Sequence, residues 1–272
     1  MKKTLNIRSI TALMLALSML FAVASCDKEP VDERPELPPV ESLQMDFSAF
    51  AEQPAAKKGT GSTVNNFLYS YLTVGFWNLS AGLVTVLPVM AYGHALQQTP
   101  VYMGDNSWEW SFDFNDVSMD YTVTLTAARI NNEEFSVEMV VASALTSNQE
   151  VKWFDGVVRY DHTHASWTLY KDGTIALLGI EWNKDYETGE ADLKYSYTEP
   201  DQNETGSFIM LEYMPEEVYD ASYTISLTAG VTNIEWNTTT IEGRVKAPSH
   251  FGDDAWHCWD SHDNGLIDID CL

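Results

Sequence analysis

From Trp108 to the C-terminus, apolar and polar residues alternate with a period of two, and that pattern leaves few folds open. Trp108, Trp110, Phe112 and Phe114 are separated by Glu109, Ser111 and Asp113; Tyr121, Val123, Leu125 and Ala127 follow, then Phe135, Val137, Met139 and Val141. Successive side chains of a strand point to opposite faces, so each run buries one face and wets the other. The pattern continues through Ile180-Trp182, Leu193-Tyr195-Tyr197, Phe208-Met210, Tyr223-Ile225-Leu227, Ile234-Trp236 and Ile241 to Val245. Asn, Asp, Gly and Pro separate the runs, and no helical spacing intervenes that would make parallel crossovers. About ten to twelve antiparallel strands are expected. No repeat of fixed period is present, which argues against propellers and solenoids.

Turn residues set the expected registers. A three-residue loop Asn131-Asn132-Glu133 pairs residues whose numbers sum to 264, so Val123 faces Val141, Leu125 faces Met139 and Ala127 faces Val137. Asp172-Gly173 as a two-residue turn gives pairs summing to 345, with Trp167 opposite Leu178 and Leu169 opposite Ala176. Both registers keep one face apolar.

Ahead of the strands lies a different kind of segment. Residues 59 to 104 contain no Asp, Glu, Lys or Arg, although the chain has 40 acidic and 15 basic residues and a formal charge of −25. Phe67, Leu68, Tyr71, Leu72, Val74 and Phe76 to Leu79 recur with helical spacing; Ser62 or Thr63 is placed to cap the helix, and Pro88 to kink or end it. The expected helix, residues 63–87, is apolar nearly all round, as a helix enclosed by other structure would be. A core helix covered by the sheet is the reading adopted. A transmembrane span is the sharper alternative, weakened by Asn78, Ser80, Thr85, Pro88 and His94. The fold class is therefore mainly β with one long buried helix (α+β): a large curved antiparallel meander, or an incomplete barrel, packed around the helix. Gly82 is a small residue expected to face any cavity left beside it.

The N-terminus reads as an address. Lys2, Lys3 and Arg8 precede an apolar run from Ile10 to Val23, and Val23-Ala24-Ser25-Cys26 closes it. That run is short for a membrane span, and small residues before a cysteine suit a peptidase that cuts ahead of a lipidated thiol. Residues 1–25 are thus read as a lipoprotein signal peptide and Cys26 as the lipidation site. Acyl chains there, palmitate among them, would anchor a soluble domain to a membrane. Cleavage leaves 12 basic residues against 40 acidic ones, a formal charge of −28. Residues 26–59 begin acidic and proline-rich, which reads as a tether too polar to fold. The domain proper is assigned to residues 60–272. Such a charge balance excludes nucleic acid, whose binding rests on Lys and Arg neutralising phosphates.

With Cys26 lipidated, Cys258 and Cys271 remain, in an exported and oxidising compartment, and are expected to pair. A turn at Asn264-Gly265 pairs residues summing to 529, which sets the two cysteines directly opposite, about 4.5 Å apart at a non-hydrogen-bonded position.

Other motifs are incomplete. Asp260, Asn264, Gly265, Ile267 and Asp268 match places of a calcium loop, but His262 and Cys271 occupy places that need oxygen ligands. Asp161-His162-Thr163-His164 would project two histidines from one strand face as zinc requires, with His250, His257 or His262 as a possible third ligand. Trp256 and Trp259 are candidates for a sugar-stacking platform. No nucleophile elbow, phosphate loop or dinucleotide fingerprint occurs. No catalytic, cofactor-binding or metal residue is assigned, and no cofactor is expected.

The lipobox, the acidic tether, the apolar segment, the Trp-x-Trp strands and the closing His-Cys-Trp-Asp…Asp-Ile-Asp-Cys hairpin together resemble an uncharacterised family of Bacteroidota-type outer-membrane lipoproteins. In architecture, a sheet bent around an apolar helix is similar to the half-barrel lipoprotein carriers. The first resemblance implies attachment to the outer membrane through Cys26, on its outer face, with the periplasmic face as the alternative; it carries no activity to transfer. The expected function is non-enzymatic: binding or shielding an apolar or lipid-like ligand. A surface glycan-binding or adhesion module is the alternative, with a metal-dependent hydrolase third. Oligomeric state is not legible.

Overall fold

The computed structural model describes residues 34–48, 63–115, 119–262 and 265–271. Fourteen strands form one sheet in strict sequence order, every neighbouring pair antiparallel. The first seven are β1 (Val101–Gly104), β2 (Ser107–Asn115), β3 (Asp120–Arg129), β4 (Glu134–Ser143), β5 (Val151–Arg159), β6 (His164–Lys171) and β7 (Ile175–Lys184). The rest are β8 (Ala191–Tyr197), β9 (Phe208–Tyr213), β10 (Ala221–Leu227), β11 (Gly230–Trp236), β12 (Gly243–Lys246), β13 (His257–His262) and β14 (Gly265–Ile269). Among the described residues the sheet is an open meander that does not close, since β1 and β14 pair only with their sequence neighbours. The alternation anticipated the architecture but undercounted the strands; β1 and β5 carry too little of the pattern to be seen. In β5 the inward position between Phe154 and Val158 is Gly156. A Cβ there would collide with the Trp167 ring and the Ser166 carbonyl, so the glycine gives the indole room to lie across the strand.

The β3–β4 register is the expected one, with Val123, Leu125 and Ala127 opposite Val141, Met139 and Val137. The β6–β7 register differs by two: Trp167 faces Ile180 and Leu169 faces Leu178. Asp172 and Gly173 both take positive φ, but the loop includes Thr174 as a third residue, since Lys171 pairs with Ile175, and this shifts the ladder by one. A bulge between Leu169 and Tyr170, with Leu177 in excess on β7, shifts it by one more. Because the slip is an even number of residues, the apolar face is kept.

One long helix, α1 (Asn65–Ala95), crosses the inner face of the sheet. Its N-terminal part lies against β12, β13 and β14, and it also contacts β2, where His94 meets Phe112 at 4.9 Å. The helix runs eight residues past the expected end at 87, straight through Pro88. An internal proline costs about 3 kcal/mol, but Pro88, Val89, Ala91, Tyr92 and Ala95 are all buried. Packing of that last stretch outweighs the lost bond. Ser62 lies outside the described residues, and Thr63 is not the cap residue; Val64 holds that position without a side-chain bond. The helix is not enclosed either. Phe67, Val74, Ala81 and Tyr92 face the sheet, whereas Leu72, Phe76, Leu79 and Leu83 are each more than half exposed. By length and composition α1 suffices to cross a membrane, yet its inner face is bound to the sheet. A four-residue helix, α2 (Pro248–Phe251), links β12 to β13.

The domain boundary also moves. The compact unit begins at Pro35, not at residue 60. Leu43 and Met45 are fully buried, and buried hydroxyl and indole groups hold the backbone around them. Tyr92 donates to the Pro38 carbonyl at 2.8 Å, Trp167 Nε1 to Ser42 at 3.0 Å, Tyr195 to Leu43 at 2.8 Å and Tyr223 to Asp46 at 2.7 Å. Residues 35–48 are thus part of the core, because Leu43, Met45 and Phe47 give them an apolar side of their own. Burial pushes the Tyr92, Tyr195 and Tyr223 hydroxyls to higher pKa, which keeps these donors protonated.

Candidate functional site

Between the middle of α1 and the strands β7, β8 and β10 there is a pocket of about 280 Å³. Trp77, Ala81 and Val84 line it from the helix; Leu178, Tyr197 and Leu227 line it from the sheet, and Phe76 stands at its open side, 65 % exposed. Its hydroxyl and carboxylate groups are committed elsewhere. The Ser80 hydroxyl donates to the Phe76 carbonyl at 2.8 Å, and the Tyr197 hydroxyl donates to Glu199 at 2.7 Å. Glu204 accepts from the hydroxyls of Ser207 and Thr228, both at 2.6 Å, and these bonds hold its carboxyl below the usual range. The wall therefore presents hydrocarbon to an occupant. Trp77 Nε1 is buried with no hydrogen-bond partner. Gly82 does not line the pocket and has open space around it. Ala81 is the small residue on the wall.

The larger cavities have different chemistry. One of about 340 Å³ is lined by Asp185, Glu190, Asp192 and Glu212. Asp185 accepts the N–H groups of Glu187 and Thr188, and Asp192 accepts from Asn183, so these two carboxylates serve turns and cross-strand pairs. Among the described residues no group of three or more His, Cys, Asp or Glu is placed to hold a metal ion.

The histidine motif is dispersed. His162 sits in a turn with φ 54°, not on a strand, and its Nε2 bonds the Glu36 carbonyl at 2.9 Å. His164 Nδ1 bonds Asn183 Oδ1 at 2.8 Å. Asp161 accepts from Arg159 at 2.8 Å and from the Thr163 hydroxyl; Arg159 first, then Thr163, hold its carboxyl well below the usual carboxylate range. His250 stacks on Tyr69 and His257 on Phe251. Among the described residues no third ligand converges. The sugar platform does not form either: Trp259 is buried with Nε1 bonded to the Ile241 carbonyl, and the Arg244 guanidinium covers Trp256 at 4.4 Å.

The C-terminal hairpin has a structural task instead. Cys258 and Cys271 stand at disulfide distance, S–S 2.08 Å and Cα–Cα 5.2 Å. The register sum is 527, however, so Cys258 pairs with Ile269 and His262 with Gly265. The two loop residues are 263 and 264, outside the described residues, and Cys271 lies two places beyond its expected partner position. This register brings Asp268 to the start of α1. Its Oδ2 and Oδ1 accept the backbone N–H groups of Asn65 at 2.9 Å and Asn66 at 3.1 Å, and its own N–H donates to the Thr63 carbonyl at 2.7 Å. Asn66 Nδ2 adds a bond to the Cys258 carbonyl. Asp268 caps the helix, which leaves the calcium-loop reading without that ligand. Cys26 lies outside the described residues.

A scan against protein-family models gave no match, and neither the curated proteins nor the solved structures contained one.

Proposed function

We propose that this protein is a lipid-anchored outer-membrane lipoprotein, non-enzymatic, which binds an apolar or lipid-like molecule in the pocket between α1 and the sheet. The pocket carries the reading: it is hydrocarbon-lined, open on one side, and its hydroxyl and carboxylate groups are bonded within the protein. Its volume is just below the roughly 300–1,000 Å³ usual for small-molecule sites, which suits an acyl chain or a similar slender group. The glycan alternative has lost its tryptophan platform, and the hydrolase alternative has no converging ligands.

Attachment through Cys26, on the outer face of the outer membrane, completes the proposal. Native mass spectrometry of the mature protein purified from its own host tests it. A lipid adduct on Cys26 together with a releasable apolar ligand is expected. An unmodified N-terminus would contradict the anchor, and a protein with no extractable apolar ligand would contradict the binding function.

A further inference from the structure

The outer side of α1 is a continuous apolar ridge. Leu72, Phe76, Leu79, Leu83, Val86 and Met90 recur three and four residues apart and range from 49 to 77 % exposed. From Leu68 to Met90 the ridge is about 33 Å long at 1.5 Å per residue. Soluble monomers rarely leave so extended an apolar surface to water. Its composition separates two kinds of cover. Protein interfaces draw their binding energy from Trp, Tyr and Arg anchors; the ridge has only aliphatic side chains, Met and one Phe. It also lies within 46 residues bare of charge on a chain of −25, so an electrostatically matched partner has nothing to grip. Hydrocarbon is the surface it fits.

We propose that the outer face of α1 docks on a lipid bilayer, lying along the membrane surface without crossing it. Crossing is opposed by the inner face of the same helix, whose Tyr92 and Asn66 are hydrogen-bonded into the fold. The chain's own path supplies the second argument. It enters the fold beside the C-terminal half of α1, where Tyr92 holds Pro38 and Val40 approaches Gly93. Cys26 is eight residues upstream of Arg34, a reach of at most about 29 Å. A lipid on Cys26 therefore keeps this helix near a bilayer. Phe76 supplies the third, belonging both to the ridge and to the open side of the pocket. A docked ridge lets an apolar ligand pass between bilayer and pocket without crossing water. That last clause rests on the proposed ligand and the second argument on the proposed anchor at Cys26; the exposed ridge rests on neither.

The test is photo-labelling of the mature lipidated protein in phosphatidylcholine vesicles doped with a diazirine-tailed phosphatidylcholine, with labelled residues mapped by mass spectrometry. Labels on Leu72, Leu79, Leu83 or Met90 are expected, unchanged by salt. Leu79→Asp/Leu83→Asp should lower that labelling at least tenfold, and the milder Leu79→Ser/Leu83→Ser severalfold if the first pair fails to fold. Labelling confined to residues near Cys26, or cross-links from α1 to protein instead of lipid, would overturn the docking. Ridge labels without labels on Ala81, Val84 or Leu178 would keep the docking and count against the pocket ligand; the reverse pattern would keep the ligand and overturn the docking.

Discussion

Asp268 on β14 caps a helix that begins 203 residues earlier in the chain, accepting the N–H of Asn65 at 2.9 Å. A helix N-terminus leaves four N–H groups without partners, and a carboxylate there gains from both the hydrogen bonds and the helix dipole. Asp268→Ala should cost about 1–2 kcal/mol in denaturant unfolding. Asp268→Asn, which keeps an acceptor, should cost less. Equal losses for both would mean that the charge, and not the cap, matters.

Tyr195 makes the tightest hold on the N-terminal segment. Its hydroxyl donates to the Leu43 carbonyl and accepts from the Met45 N–H at 2.7 Å, all of it buried. Tyr195→Phe strands both backbone groups and should destabilise the fold by about 2–4 kcal/mol. Hydrogen exchange should show residues 40–47 losing protection first. Protection that falls uniformly along the chain would contradict a locally held segment.

Tyr92, Tyr195 and Tyr223 also set an alkaline limit. Burial raises each hydroxyl above the ordinary value of 10.0, so the unfolded chain gives up these protons first. Their contribution is complete below pH 10 and is lost as pH rises above it. Melting temperature should fall steeply beyond pH 10. Tyr195→Phe/Tyr223→Phe should fall less steeply, measured from its own lower starting point.

Reduction of the Cys258–Cys271 pair removes a loop closure of 13 residues' separation, worth about 3 kcal/mol in the chain-entropy model. The melting temperature should drop while the far-ultraviolet circular dichroism stays unchanged at low temperature. Because Asn66 bonds the Cys258 carbonyl, loosening should spread to the first turn of α1 and be visible there by hydrogen exchange. Free thiols in oxidised mature protein would contradict the pairing.

Legibility followed the range of the forces involved. Period-two alternation is local, so the meander and the β3–β4 register could be read directly, down to Leu125 facing Met139. The β6–β7 and β13–β14 registers were each wrong by two, because a longer loop plus a bulge in the first and a shifted turn in the second make an even slip, which leaves the apolar face unchanged and hence no trace in the pattern. The burial of Leu43 and Met45 was missed because acids and prolines dominate the neighbouring composition, although Leu43, Met45 and Phe47 alternate as a packed segment would. Asp268 as a cap was invisible, since its partners are distant in sequence. The pocket was anticipated only in kind: apolar surplus beside the helix was legible, but not that Ala81 lines the pocket and Gly82 does not.

The central claim is that the pocket holds an apolar ligand, and a titration with a fluorescent fatty-acyl probe tests it most directly. Wild-type protein should bind the probe saturably. Ala81→Leu, which fills the wall from the helix side, should weaken binding at least tenfold at unchanged melting temperature, whereas Leu145→Ala, at a site 78 % exposed and away from the pocket, should leave it unaltered. No saturable binding by the wild type, or equal binding by wild type and Ala81→Leu, would contradict the account.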